Sequence, residues 1–391
     1  MADIRRLDVE TDADDIFALS QFAFQYELSG DALSKKQVEA KRHIIWGLMD
    51  DDRLAAKLHL IPLACYINGK TFDMGGISSV ATWPEYRRQG AVKQLLYYAL
   101  KHMRTNGQTL SFLHPFSFAF YRKYGWEHTF SQKTYTMPID RLKREWGAKG
   151  YVRRMNDDIP ALDSIYTAYA KQFNGTLVRD DKWWTQRVLQ GKWHQAAAYS
   201  TYGQAEGYLL YNVKNGRLTV HELVYNTPNA HKLLLHFIAN HDSMVDTVEM
   251  AVPENDHLPL LVDEPRFEQT IKPYFMARIV DVQAFLKQYP FLPGSAESVT
   301  LHIADPFLPE NNGTYQLSHI GPDTNVTHLR TDIHGQAGSI HCGVQQLTSM
   351  VTGFSRPLEL YNAGLIHGDK YSVEQLENVI PQQQTYFPDF F

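Results

Sequence analysis

The chain has 391 residues, which is too many for one ordinary hydrophobic core and predicts two or three domains. Hydrophobic residues make up 44% of the sequence and charged residues 21%, as in folded globular proteins, and a net charge of -5 argues against nucleic acid as the main partner. The N-terminus is acidic where a signal peptide is apolar, and no apolar run reaches the length of a membrane span. We therefore expect a cytoplasmic protein with no membrane partner.

The first third of the chain alternates strand and helix patterns. A strand is predicted over 3–9 and a helix over 12–28, followed by a long hairpin that turns at Asn68-Gly69. A helix over 91–103 comes next, since its apolar residues recur at helical spacing before Asn106-Gly107. The remaining predicted elements of this part are a strand over 109–113, a short helix over 118–124 and a closing strand over 134–139. The pattern indicates a mixed α+β layer.

The order of elements begins again near residue 151. The segments 80–94 and 224–237 both read as strand, proline-containing turn and helix, but only the first has arginines and a glycine at the turn. We favour a duplicated fold whose second copy lacks the chemistry, with two unrelated α+β segments as the alternative. After a Pro/Gly/Ser boundary at 290–298, a strand over 298–304 and helices over 344–352 and 372–380 predict a third small domain.

The segment from Val80 to Val92 is the sharpest functional signal. A buried strand leads through a turn into a helix, whose first N–H groups lack internal partners and lie at the positive end of the helix dipole. Such an end can hold a pyrophosphate, with Arg87 or Arg88 adding positive charge and Gly90 allowing close approach. Neither a Walker A loop nor a dinucleotide-binding fingerprint is present. Taken alone, Arg87-x-x-Gly90 is a weak signal, more typical of an ordinary helix N-terminus with two solvated arginines than of a binding site.

Together with the later segment Phe120-Tyr121-Arg122-Lys123-Tyr124-Gly125-Trp126, this motif resembles the GCN5-related N-acetyltransferase (GNAT) family in its three-domain Eis (enhanced intracellular survival) branch. Val92 departs from the family pattern, which expects a small residue there. The resemblance implies an α+β fold with a catalytic GNAT domain over 1–148, a degenerate GNAT-like domain over 149–284, and a sterol-carrier-protein-like domain over 285–391 whose C-terminal tail docks into the first domain.

The resemblance also implies acetyl-CoA as co-substrate, with pantetheine along the strand backbone like an added strand. The residues implied to bind it are Val80, Ala81, Thr82, Arg87, Arg88, Gln89, Gly90 and Ala91. Tyr121 matches the tyrosine proposed in the family to protonate the departing thiolate, and the carboxylate of the last residue, Phe391, matches the proposed base. The aromatic tail favours docking, because apolar rings are costly to leave in water. Hydrophobic anchoring or an oligomer contact is the alternative role of the tail, and Glu27, Asp31 and Asp389 are alternative carboxylates.

These observations predict transfer of an acetyl group to a primary amine of a small molecule or peptide by direct attack in a ternary complex. The resemblance further suggests a homo-oligomer, with a hexamer as one assembly. We expect no metal, since Cys65, Cys342 and the 17 histidines fit no metal-ligand spacing. The rival hypothesis is a lipid or hydrophobic-ligand carrier, or a scaffold, in which the CoA site is vestigial.

Overall fold

The computed structural model describes residues 3–191, 193–293, 298–321, 324–330 and 338–391. Among them, twelve strands form one continuous sheet and four more form a smaller sheet, with helices packed on both. The expected mixed α+β class is confirmed. No helix of the described ranges combines the length and the apolar character needed to cross a bilayer.

The first part of the large sheet comes from residues 3–138. Its strands are β1 (Asp3–Leu7), β2 (Ile44–Asp50), β3 (Arg53–Ile67), β4 (Lys70–Thr82), β5 (Leu110–Leu113) and β6 (Glu127–Pro138). Its helices are α1 (Ala13–Phe24), α2 (Gly30–Ala40), α3 (Ala91–Thr105) and α4 (Phe118–Arg122). The apolar face of α3 is fully buried against β3 and β4, as its spacing predicts.

A second, similar series of elements follows. Its strands are β7 (Tyr151–Met155), β8 (His194–Tyr199), β9 (Ala205–Lys214), β10 (Arg217–Tyr225), β11 (Thr247–Val252) and β12 (Glu268–Ile279). Its helices are α5 (Ile159–Ala170), the short α6 (Asp181–Trp183), α7 (Pro228–Ala239) and α8 (Leu258–Leu261). In both series a hairpin leads to a strand that pairs in parallel with the strand after the next helix: β4 with β5, and β10 with β11. The predicted duplication is therefore visible in the topology.

The two repeats exchange their last strands. We expected the strand over 134–139 to close the first layer, but β6 pairs with β11 of the second repeat, with Lys133 opposite Val252. In turn β12 of the second repeat fills the place beside β5, with Met276 opposite Leu113. The sheet order is consequently β1-β2-β3-β4-β5-β12-β6-β11-β10-β9-β8-β7. This exchange joins the repeats into one sheet. The domain limits at 148 and 284 stay a prediction.

The third domain packs on the shared sheet. It contains α9 (Val282–Gln288), β13 (Ser298–Ala304), β14 (Gly313–Ser318), β15 (Asn325–Leu329), β16 (Ser339–Gly343), α10 (Val344–Thr352), α11 (Pro357–Asn362) and α12 (Lys370–Val379). Helix α10 lies against β6 and β12. A fully buried ion pair between Arg278 of β12 and Asp305, 2.5 Å long, fixes the contact. The part of the predicted boundary at 294–297 lies outside the described residues.

The C-terminal tail returns to the large sheet. Phe387 and Phe391 are buried in the largest hydrophobic cluster, which includes residues of both repeats and of the third domain. The ring of Phe391 lies over Gly76 of β4, where a β-carbon would approach it to 2.8 Å. A glycine at this position therefore makes room for the last side chain of the chain.

Candidate active site

Two cavities lie side by side along β4 and meet at Val80. The first, which we call the loop cavity, has a volume of about 680 Å³ and is lined by Val80, Ala81, Thr82, Arg87, Arg88, Gly90, Ala91, Phe120 and Tyr124, among others. The second, the tail cavity, has a volume of about 520 Å³ and is lined by Ser78, Ser79, Val80, Tyr121, Phe390 and Phe391, among others. Both volumes suit small-molecule binding.

The loop cavity contains a helix N-terminus that no side chain caps. After a turn of 3₁₀ helix at Pro84–Tyr86, Arg88 and Gly90 take positive φ values of 64° and 84°, and Gly90 is the N-cap residue of α3. A glycine suits this left-handed backbone because it has no β-carbon to clash. A β-carbon on Gly90 would meet no atom within 4 Å, so the space in front of the helix is open. The arrangement can hold an anionic group.

The strand β4 leaves its parallel neighbour where the loop cavity begins. Its pairing with β5 covers Met74 to Ile77, whereas from Ser78 to Thr82 it pairs with β3 alone among the described strands. A bulge occurs here: Ser78 lies opposite His59 and Ala81 opposite Lys57, and Ser79 has a φ of 52°. The other edge of β4 therefore has no partner among the described strands over this stretch, so an extended amide-bearing ligand could bind there as a strand would.

Seven of the eight residues implied to bind the cofactor line the loop cavity. Gln89 is the exception, since its side-chain amide donates to the carbonyl of Glu85 at 3.0 Å and it does not contribute to the lining. Arg87 and Arg88 are both exposed, and the Nε of Arg87 donates to the carbonyl of Thr82 at 3.4 Å. Their guanidinium groups can therefore move toward an anion at the helix end.

Tyr121 lies on α4 at the wall of the tail cavity. The hydroxyl of Ser117 caps this short helix by accepting from the N–H of Phe120, and the Tyr121 ring packs edge-on against Phe116, Phe120 and Trp126. Only 3% of the residue is exposed. Burial, and to a smaller extent the neighbouring Tyr124, raises the pKa of its phenol. The hydroxyl therefore keeps its proton at neutral pH and can donate it.

The chain end lies in the tail cavity and is held by buried charges. Asp389 lies 3.1 Å from Arg179, which also pairs with Glu222, and the indole of Trp183 donates to Asp389 at 2.7 Å. Burial raises the pKa of Asp389 despite this partner. Asp389 is thus engaged outside the cavity, and neither Glu27 nor Asp31 is among the described lining residues. Of the four candidate carboxylate-bearing residues, the structure brings Phe391 to the cavity with Tyr121.

Polar residues that the sequence did not single out also line the tail cavity. Glu39 pairs with Lys36 at 2.9 Å and with Arg187, while His43 and His59 lie further along the wall. Behind them, Lys57 is fully buried in β3. Lysine and histidine inside the apolar stretch 54–67 were a signal in the sequence, because such side chains are rarely buried without a role.

Comparisons with known proteins identify the domains of the chain. One acetyltransferase (GNAT) domain model matches residues 3–129, a second acetyltransferase (GNAT) domain model matches residues 175–279, and a sterol carrier protein domain model matches residues 282–388. The chain belongs to the GNAT acetyltransferase family. It has the Eis-like arrangement of two GNAT domains and a C-terminal sterol-carrier-like domain.

Two curated relatives match part of this GNAT chain. An uncharacterized N-acetyltransferase of Streptomyces griseus is 23% identical over 61% of this chain and 64% of its own length. N-acetyltransferase Eis of Mycobacterium tuberculosis is 23% identical over 59% of this chain and 61% of its own length. The match thus spans less than two thirds of these curated relatives.

Solved structures extend the likeness to the whole GNAT chain. A probable N-acyltransferase of Enterococcus faecalis superposes with a TM-score of 0.93 at 27% identity, covering 100% of both chains. Eis1 of Mycobacterium abscessus superposes with a TM-score of 0.82 at 20% identity, which shows a shared fold. Among the described residues of this GNAT protein, no group of three His, Cys, Asp or Glu side chains could hold a metal ion. The expected lack of a metal stays a prediction.

Proposed function

We propose that this GNAT protein transfers an acetyl group from acetyl-CoA to a primary amine of a small molecule or peptide by direct attack in a ternary complex. The observation that carries the proposal is the meeting of the two cavities at Val80. A loop suited to binding an anion lies in one cavity, and a buried phenol and the chain end line the other. A thioester that follows β4 would bring its acetyl group to the junction, where an amine in the tail cavity can reach it.

The reaction needs three protein groups. The neutral amine attacks the acetyl carbonyl carbon, the new C–N bond forms, and the C–S bond breaks as the thiolate leaves. Tyr121 would give its proton to that thiolate, since its phenol is protonated at neutral pH. The carboxylate of Phe391 would accept a proton from the incoming ammonium. Main-chain N–H groups at the bulge around Ser79 would stabilise the carbonyl oxygen as it gains negative charge.

The lining of the tail cavity favours an amine on an apolar or aromatic body. Phe24, Phe116 and Phe390 are 48%, 76% and 53% exposed at this cavity, and exposed rings of this size are typical of binding sites. The charged side chains Lys36, Glu39 and Arg187 of its lining pair with one another, and the carboxylate of Phe391 is reserved for the base. Little free negative charge is left for a second or third ammonium group, so a polycation would be a poor acceptor.

Calorimetric titration of acetyl-CoA into the full chain tests the cofactor part, with desulfo-CoA as the control for contacts at the thioester end. Saturable binding at one site per chain is expected, and absence of binding to folded protein would contradict the proposal. Release of CoA is then measured with phenethylamine, spermidine and kanamycin. We expect the highest kcat/KM with phenethylamine. Acetylation of spermidine or kanamycin alone would overturn the acceptor class but keep the acetyl transfer.

A further inference from the structure

A chain of three titratable side chains leads from the tail cavity into the sheet. Lys57 and His59 lie on β3, with Lys57 Nζ 3.0 Å from His59 Nε2. His59 Nδ1 lies 3.1 Å from Nδ1 of His43, which together with His59 lines the tail cavity. At the inner end, Lys57 Nζ donates to the carbonyl of Ser79 at 3.2 Å. The chain thus joins the cavity wall to the bulge of β4.

A buried lysine without an acidic partner needs an explanation. Lys57 is fully buried, and within the described part of the protein no carboxylate lies at ion-pair distance from it. An isolated buried ammonium is costly, so such a group releases its proton near neutral pH. Support of the bulge through Ser79 alone would not require an ionisable group, because any buried donor could bond that carbonyl.

We propose that Lys57, His59 and His43 form a proton relay that stores the proton released by the amine acceptor. The inference rests on the proposed acetyl transfer and adds to it. A C-terminal carboxylate has an ordinary pKa of about 3.5, so at neutral pH it passes a proton on quickly and stores it poorly. Because Phe391, His43 and His59 line one cavity, the relay can receive the proton from that carboxylate or from the ammonium itself.

The proton steps balance. One proton arrives at Nε2 of His43, and the proton on its Nδ1 moves to Nδ1 of His59. The proton on Nε2 of His59 then moves to the neutral amine of Lys57, which becomes an ammonium. The acceptor amine is left neutral and nucleophilic, and the relay is reset when the proton returns along the same path to solvent. Each step follows a hydrogen bond of the structure or the cavity.

The electrostatics of the chain agree with this role. Burial lowers the pKa of His43 to about 4. The negative charge of Glu39 opposes this shift, and the positive charges of Arg187, Arg42 and Lys36 add to it. Burial, with Lys57 and His43 as neighbours, keeps the pKa of His59 well below its ordinary value. Both imidazoles are therefore neutral at pH 7, each with one donor and one acceptor, as a relay requires. Burial lowers the pKa of Lys57 from 10.5 to about 7.

The decisive experiment compares Lys57→Met and Lys57→Arg with the parent chain over pH 6 to 10. Arginine can still donate to Ser79 but cannot act as a base at these pH values. We expect kcat of the parent with phenethylamine to fall below about pH 7 as Lys57 becomes protonated. Both variants should lose this inflection and about 10-fold or more of kcat at pH 8, with acetyl-CoA affinity kept. An unchanged inflection in either folded variant would overturn the relay.

A stability measurement tests the relay without turnover. Between about pH 7 and 10 the unfolded chain binds a proton at Lys57 that the folded chain does not, so stability gained from this group rises with pH and is lost as pH falls. The melting temperature of the parent should therefore rise across this range relative to Lys57→Met. Parallel curves would mean that Lys57 stays charged, and the relay fails.

If Lys57→Met does not fold, Lys57→Arg or His43→Gln takes its place in the kinetic comparison, with loss of the inflection again expected. Failure of the parent to bind acetyl-CoA would instead remove the proposed function.

Discussion

The two repeats build the same strand, turn and helix but finish the turn differently. In both, a strand with a bulge pairs in parallel over four residues and then diverges: β4 at Ser78 and β10 after Val220. In the first repeat the N-cap residue of α3 is Gly90, which has no side chain to cap the helix. In the second, the N-cap residue of α7 is Thr227, whose hydroxyl accepts from the N–H of Ala230 at 3.1 Å.

The difference determines which helix end is available to a ligand. Thr227 satisfies one free donor of α7, and Pro228 at the first helical position has no N–H to offer. The second helix end thus has fewer free donors, whereas the first can offer its donors to an anion. A fold duplicated in backbone geometry can keep or lose a binding site through two or three side chains at one turn.

Buried charged groups of the second repeat bind the C-terminal tail. Arg179 and Glu222 are each almost fully buried and join Asp389 of the tail in one charged cluster. The carbonyl of Asp389 also accepts from the hydroxyl of Tyr274 at 3.1 Å. These contacts hold the chain end two residues before Phe391. The second repeat therefore positions the tail at the cavity of the first. We expect mutations in the cavity of the first repeat to affect turnover or cofactor binding, and mutations in the charged cluster of the second to affect stability.

The largest effect is expected for Tyr121→Phe, which removes the proposed proton donor but keeps the ring. We expect kcat to fall by about 10² to 10⁴, the usual contribution of general acid catalysis, with little change in the dissociation constant of acetyl-CoA. Steady-state kinetics and calorimetry measure the two quantities. Tyr124→Phe is the matched control, since Tyr124 lines the loop cavity only. Full turnover in Tyr121→Phe would remove its assigned role.

Arg179→Met should chiefly affect stability. The change leaves Glu222 and Asp389 as buried carboxylates without a cation, and breaking such a pair costs about 3–5 kcal/mol. Urea unfolding at pH 7 measures the loss. The loss should shrink toward pH 5, because the pKa of Asp389 is already raised by burial and an uncompensated carboxylate is protonated more readily. A variant as stable as the parent would show that the cluster does not hold the tail.

Moving the terminal carboxylate tests the chain end directly. One glycine added after Phe391 keeps every ring in place but shifts the carboxylate by about 3.5 Å, the length of one residue. We expect kcat to fall about 100-fold, since an acid or base must lie within hydrogen-bond reach of its proton. Phe390→Ala is the comparison variant for kcat at saturating amine, because it trims an exposed ring of the tail cavity without lengthening the chain. Equal turnover of the extended and parent chains would assign the tail to anchoring alone.

Much of the fold and of the loop cavity could be predicted from the sequence, because both depend on local patterns. Helix α3, the hairpin β3–β4 and the turn at Gly90 follow from spacing and turn chemistry. The exchange of β6 and β12 was not predictable, since each strand has the same alternating pattern wherever it pairs. Helix α2 was missed as well, because its polar sequence has a weak apolar face.

The tail cavity was predicted only in part for a related reason. Tyr121 and Phe391 were expected there from the family resemblance, but the partners of the tail come from distant parts of the chain. Arg179 precedes Asp389 by 210 residues, and no periodic pattern links them. Gln89 shows the opposite case: it belongs to the motif, yet its side chain bonds to its own turn. Contacts that a fold creates over long distances are not encoded by local spacing.

The smallest effects are expected for the matched pair Gly90→Ala and Thr227→Ala, which compare the N-termini of α3 and α7 directly. A β-carbon at Gly90 meets no neighbour, so only the left-handed backbone with its φ of 84° resists alanine, at about 1–2 kcal/mol. If that conformation binds the pyrophosphate, acetyl-CoA affinity should fall about 10-fold as the turn relaxes. Thr227→Ala should cost about 1 kcal/mol of stability through the lost cap and leave acetyl-CoA affinity unchanged. Reduced affinity in Thr227→Ala instead would mean that the second helix end binds the ligand, and that the repeats have been assigned in the wrong order.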